Sequence, residues 1–199
     1  MEKRSINFEL RAKKDSRTIF GTATVFNSSY DMGWYDEEMS AESLNEADMN
    51  DVVALFNHDM NMVLARTSSG TLKLNVTGDA MEYEFEAPNT TLGNDLLEMV
   101  KRGDVYQSSF AFTVETEDWQ ERKGMKPKRV IRSIKKVYDV SPVTYPANPD
   151  TMVAKRSYEA TKEIDKDLQT IIDISVKSEI NIQNELRRNA LHLLNLKTK

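Results

Sequence analysis

Apolar and polar residues alternate in short runs from Ile6 to about Ala154, the period-two signature of strands half-buried in a sheet. The runs INFELRA, TIFGTATVF, DVVALFNHD, TLKLNV, AMEYEFEA, VYQSSFAFTVETED, RVIRSIKKVYDV and SPVTYPA each predict a strand. One segment departs from the alternation. In TTLGNDLLEMVKRGD, Leu92, Leu96, Met99 and Val100 recur at helical spacing, a threonine can cap the start, and Lys101, Arg102 and Gly103 suit the end. Beyond Ala154 glycine, proline, phenylalanine and tryptophan all disappear, and charged residues separate Leu and Ile to the end of the chain. The expected organisation is therefore an α+β, mainly β domain over residues 1–154 with few helices, followed by a charged helical tail over residues 155–199. Leu168, Ile172, Ile182, Leu186 and Leu193 approximate a heptad in that tail, while Ser175 and Glu179 interrupt the seam. A partner helix, self-pairing and docking back onto the β domain are all open to such a face.

Composition narrows the chemistry. With no cysteine and two histidines in 199 residues, disulfides, thiolate catalysis and cysteine-ligated zinc are excluded, and a multi-histidine metal site is not expected. No apolar run approaches the roughly 18 residues of a membrane helix, and MEKRSINFEL lacks the apolar block of a secretory signal, so a soluble, cytoplasmic chain is expected. The net charge of −5 divides into −7 over residues 1–154 and +2 over residues 155–199. A mildly basic tail whose only aromatic residue is Tyr158 lacks the stacking groups and dense Lys/Arg clusters of a nucleic-acid binder. Residues 31–51 carry eight acidic side chains and no basic one, which predicts a solvated loop and short helix.

Three residues could carry chemistry. Strand alternation in DVVALFNHD puts Val52, Ala54, Phe56 and His58 on one side, so the imidazole ends a buried run, either as a positioned base or as a cap on the strand. In VYQSSFAFTV the same parity separates the two serines. Ser108 falls with Tyr106, Phe110 and Phe112, where its hydroxyl is expected to bond to local backbone. Ser109 falls with Gln107, Ala111 and Thr113, where it is either a reachable nucleophile or part of a solvent face. Asp139 precedes Pro142, which marks an edge or a bulge, and a buried carboxylate there needs a partner. An imidazole would serve, as would Lys135, Lys136 or an arginine. Glu84, Glu86, Glu115 and Glu117 read as outward charges.

Taken in order, VVALFNHD, LARTSSGTLKL, LLEMVKRGDVYQSSFAF and VYDVSPVTYPANPDT resemble the prohead protease family of tailed bacteriophages, over residues from about Phe20 to Arg156. The resemblance implies a β-barrel core similar to the herpesvirus assembly proteases. It also implies a triad in which His58 is the base, Ser109 the nucleophile and Asp139 the orienting acid. This chain has Ala65 and Ala111 where the family usually has glycine, Asp139 where it usually has Glu, and SAES at residues 40–43 where a Pro-Gly-Ala-like segment is usual. Arg129 and Arg132 become candidates for stabilising an oxyanion, and LARTSSGTL could supply backbone donors, or be a strand-to-turn connection with Arg66 pairing an acid. The implied substrates are the major capsid and scaffolding proteins, cut inside the assembling prohead in the host cytoplasm, with self-digestion and with self-association as a further option. Neither cofactor, metal, membrane nor nucleic acid is called for. The competing reading is a non-catalytic capsid-assembly protein with an oligomerising tail.

Overall fold

The computed structural model describes residues 1–6, 10–145 and 151–197. Within them the strands are β1 (Glu2–Ile6), β2 (Leu10–Ala12), β3 (Thr18–Val25), β4 (Ser29–Asp31), β5 (Asp36–Met39), β6 (Val53–Leu55), β7 (Val63–Arg66), β8 (Leu72–Val76) and β9 (Ala80–Glu86), of which β1, β4, β5 and β7 were not expected from the alternation. Helix α1 (Thr91–Arg102), strands β10 (Gln107–Gln120) and β11 (Lys128–Val143), and helix α2 (Thr151–Lys197) follow. The expected runs INFELRA and SPVTYPA reach into residues 7–9 and 146–150, which lie outside the described residues. The chain divides into two units, residues 1–150 and 151–199.

The first unit is built on the long antiparallel hairpin of β10 and β11. Its sheet runs β1-β10-β11-β5-β4, with β6 pairing β11 nearer its C-terminal end and β7 lying beyond β6. The second sheet runs β2-β3-β9-β8. The fold is thus mainly β, as expected, although the two sheets are not closed barrels. Phe110, Phe112, Ile131, Ile134, Val137 and Val140 of the hairpin join Ile19, Met81, Tyr83 and Phe85 of the second sheet and Leu96 and Val100 of α1 in one buried core. Burial of these side chains is the main stabilising contribution.

Helix α1 begins and ends as its sequence predicts. The Thr90 hydroxyl accepts from the Gly93 amide at 3.2 Å, and Gly103 closes the helix at a φ of +82°. Gly93 is required at that first turn, because a Cβ there would meet the Pro88 carbonyl at 2.1 Å. The Asp104 amide then donates to Met99 O at 2.8 Å, and the chain passes into β10.

Two expectations need correction. The acidic zone at 31–51 is not only loop and short helix: it contains β5, in which Glu37 and Met39 are buried. Glu117, read as an outward charge, belongs with Glu37 to a cluster around two arginines, described below. In the second unit, α2 runs from Thr151 to Lys197. Ile164, Leu168, Ile171, Ile172, Ile174 and Val176 are exposed along it, whereas the side chains of the heptad positions Ile182, Leu186 and Leu193 lie outside the described residues.

Candidate active site

The hairpin register sets out the site. Ser109 of β10 faces Ser141 of β11 across the ladder, and Ala111 faces Asp139, so these four residues alternate onto one side of the ribbon. Between the pairs Ala111↔Asp139 and Phe112↔Val137, β11 carries one extra residue, Tyr138. This bulge lies immediately beside the carboxylate, the kind of place where bulges re-aim side chains. The strand runs through Pro142 to Val143, and the Pro142 carbonyl accepts from the Asn57 amide at 3.0 Å.

His58 reaches the site by a different route from the one its sequence suggests. Strand β6 ends at Leu55, and Asn57 and His58 lie in a turn with φ values of +55° and +57°. Two successive non-glycine residues in the left-handed region need outside restraint. Asn57 supplies it, since its Oδ1 accepts from the Thr144 amide at 2.9 Å and its Nδ2 donates to Thr144 Oγ1 at 3.3 Å. The turn is thereby fastened to the end of β11. Its position places His58 Nδ1 2.6 Å from Asp139 Oδ1 and Nε2 2.6 Å from Ser109 Oγ.

All three sequence-derived residues therefore come together, in an environment that holds them. Ser109 has no exposed surface, and its hydroxyl also contacts the Arg4 carbonyl of β1 at 2.8 Å. The same Asp139 Oδ1 that meets the imidazole accepts from the buried Ser141 hydroxyl at 2.6 Å. Sequence reasoning did not find Ser141, although its i, i+2 spacing from Asp139 puts both on one strand face. Lys135 and Lys136, the alternative partners of Asp139, instead pair with Glu115 and Asp48 at 3.6 and 2.8 Å.

Ser108 points the other way, as parity predicts, yet its hydroxyl donates to the Tyr83 phenol at 2.9 Å rather than to backbone. Burial pushes the Tyr83 phenol well above its ordinary range. Gly21 makes room for the ring, because a Cβ there would lie 2.8 Å from it. Ser108→Ala leaves this buried phenol without its donor and is expected to cost about 1–2 kcal/mol of stability, read by denaturant unfolding.

The arginines proposed from the sequence have other duties. Arg129, with 1% of its side chain exposed, donates to Glu2, Glu37 and Glu117. Arg4 donates to Glu2 and Glu37 in the same cluster. The Tyr35 phenol beside these charges is pushed up to about 12, chiefly by burial. Arg132 pairs with Asp118 at 2.6 Å. Both oxyanion candidates are thus engaged by carboxylates. Arg66 holds Asp51 through two bonds of 2.6 and 2.5 Å, and LARTSSGTL forms the connection from β7 to β8. Among the described residues no three His, Asp or Glu side chains gather as a metal site.

A family model described as caudovirus prohead serine protease matches residues 6–164 of the 199. No curated protein and no solved structure matches the chain.

Proposed function

This chain belongs to the caudovirus prohead serine protease family, and we propose that it cleaves peptide bonds with Ser109 as nucleophile, His58 as general base and Asp139 as the group that orients the imidazole. The observation carrying this reading is the single imidazole, 2.6 Å from a carboxylate on one nitrogen and 2.6 Å from a serine hydroxyl on the other. A carboxylate oxygen only accepts, so the pairing requires the proton on Nδ1 and leaves the Nε2 lone pair facing Ser109. As Oγ attacks the scissile carbonyl carbon, its proton passes to Nε2. When the C–N bond breaks, that proton goes to the departing amine, leaving an acyl-serine. Water, deprotonated by the same nitrogen, then hydrolyses the ester and returns the proton to Oγ.

Aspartate in place of the family's usual glutamate reaches the imidazole from β11 because the turn bearing His58 is fastened to the end of that strand. The Ser141 hydroxyl adds a second donor to the carboxylate. Ser141→Ala is expected to lower kcat about ten-fold with KM little changed, while Ser141→Thr retains most activity; steady-state kinetics on a peptide substrate read both.

The substrates are the major capsid protein and scaffolding protein within the assembling prohead, and the chain also cuts itself. The test is the intact mass of the purified chain beside its Ser109→Ala form, each alone and after incubation with capsid protein. Fragments from the first and none from the second are expected. Identical behaviour of the two would return the chain to a non-catalytic assembly role. Residues from about 155 onward, with their exposed Ile and Leu side chains, serve as the tether to capsid or scaffold protein. A chain ending at Lys155 is expected to be lost from proheads, as scored by immunoblotting of purified particles; normal packaging would refute the tether.

A further inference from the structure

Beside the imidazole lies a cavity of about 530 Å³ whose walls include Val53, Leu55, Met60, Val63 and Tyr138. Val53 and Leu55 share one face of β6, and Val63 pairs with Leu55 across the β6–β7 ladder, so the apolar wall is a patch of sheet. His58 and Asp139 also wall the cavity; Ser109 is not among the described residues that do. We propose that this cavity is a substrate subsite, resting on the protease reading above, that takes an aliphatic side chain from a residue flanking the scissile bond.

The chemistry of the walls selects the occupant. Asp51 accepts from Arg66 on both oxygens and from the Ser68 hydroxyl at 2.8 Å, and Asp139 is held through Oδ1 by His58 and Ser141, so both wall carboxylates already have donors on them. Of the cations in the walls, Arg66 and Lys136 are matched by Asp51 and Asp48, which leaves Lys3 without an acidic partner among the described residues, against an apolar wall of five side chains. Met60 and Val63 meanwhile stand 85% and 49% exposed, apolar surface that an aliphatic side chain would cover. Position follows from the same walls. A pocket that adjoins the base and its acid, but not the nucleophile, holds a neighbour of the residue whose carbonyl is attacked rather than that residue itself.

The test is a digest of denatured bacterial proteins by the full chain, with Ser109→Ala as control and new termini mapped by mass spectrometry. Sites dependent on Ser109 are expected to share Leu, Ile, Val or Met at one fixed position within three residues of the cut, excluding the residue that supplies the attacked carbonyl. Val63→Asp is expected to cut cleavage at those sites at least ten-fold and to shift the preference there toward Lys and Arg. Met60→Glu, at a side chain too exposed to disturb folding, is expected to shift it the same way, and Val76→Asp on β8 of the other sheet is not. Ser109-dependent cleavage without an aliphatic position, or with profiles unaltered in both cavity variants, overturns the subsite and leaves the protease reading standing. Cleavage that is absent, or indifferent to Ser109→Ala, overturns the protease reading and the subsite with it.

Discussion

Ser109→Ala and His58→Ala are each expected to lower peptide-bond cleavage by about 10⁴- to 10⁶-fold, and the double variant by no more than either alone. The non-additivity is the diagnostic part. Two groups that bond at 2.6 Å and act in one proton transfer fail together, so removing the second from an already disabled site takes nothing further. A structural serine and histidine would lose stability and leave cleavage intact. Asp139→Asn is expected to cost about 10⁴-fold, because an amide nitrogen facing Nδ1 favours the wrong tautomer. The measurement is initial velocity on a capsid-derived peptide, with thermal unfolding of each variant alongside. Cleavage that survives Ser109→Ala within ten-fold would rule out the assigned nucleophile.

Arg129→Met is expected to be the most damaging substitution away from the site. Arg4 and Arg129 share Glu2 and Glu37, and Arg129 alone also holds Glu117, in a nearly buried cluster. Without Arg129 three anions face one guanidinium, and stranding buried charge in this way costs about 3–5 kcal/mol. For a domain of this size that lowers Tm by on the order of 10 °C. The pH dependence separates this from loss of packing. Burial would raise the Glu2 carboxyl, but hydrogen bonding to Arg129 and the charges of Arg4 and Arg129 hold it below its ordinary value of 4.5. In the native protein, therefore, the stability Glu2 contributes is present above its unfolded value and is lost as pH falls through the lower folded one. In the variant burial has less opposition and the carboxyl moves up, so the penalty is greatest near neutrality and shrinks on acidification. The Tm gap between native protein and variant should narrow from pH 8 to pH 5. A constant gap would point to packing alone.

Strand parity along β10 was enough to separate Ser109 from Ser108, since both residues lie within one regular run and each side chain follows its neighbours. His58 comes to the site by a geometry that strand alternation does not give. The alternation of DVVALFNH continues on paper through a chain that has already left the strand at Leu55, and what fixes the left-handed turn is Thr144, remote in sequence. The cluster was illegible for a related reason. Glu2, Glu37, Glu117 and Arg129 each look like a solvated charge in a local window, and only the hairpin and β5 bring them together. Burying a charge is unfavourable by default, so a reading of single strands places every one of them outside. The chain's β character and the capped helix α1, which depend on neighbouring residues alone, were legible.

The contact between the Ser109 hydroxyl and the Arg4 carbonyl gives the serine proton a second place to go. A hydroxyl has one proton, and here two acceptors lie within reach of it, the carbonyl of β1 and the Nε2 lone pair. When the imidazole is neutral the proton turns to Nε2. Once the imidazole is charged, Nε2 becomes a donor to Oγ and the serine proton turns to the carbonyl, so every bond is still satisfied. The exchange between the two acceptors needs only rotation about the Cβ–Oγ bond, so the strands that hold the hydroxyl need not move.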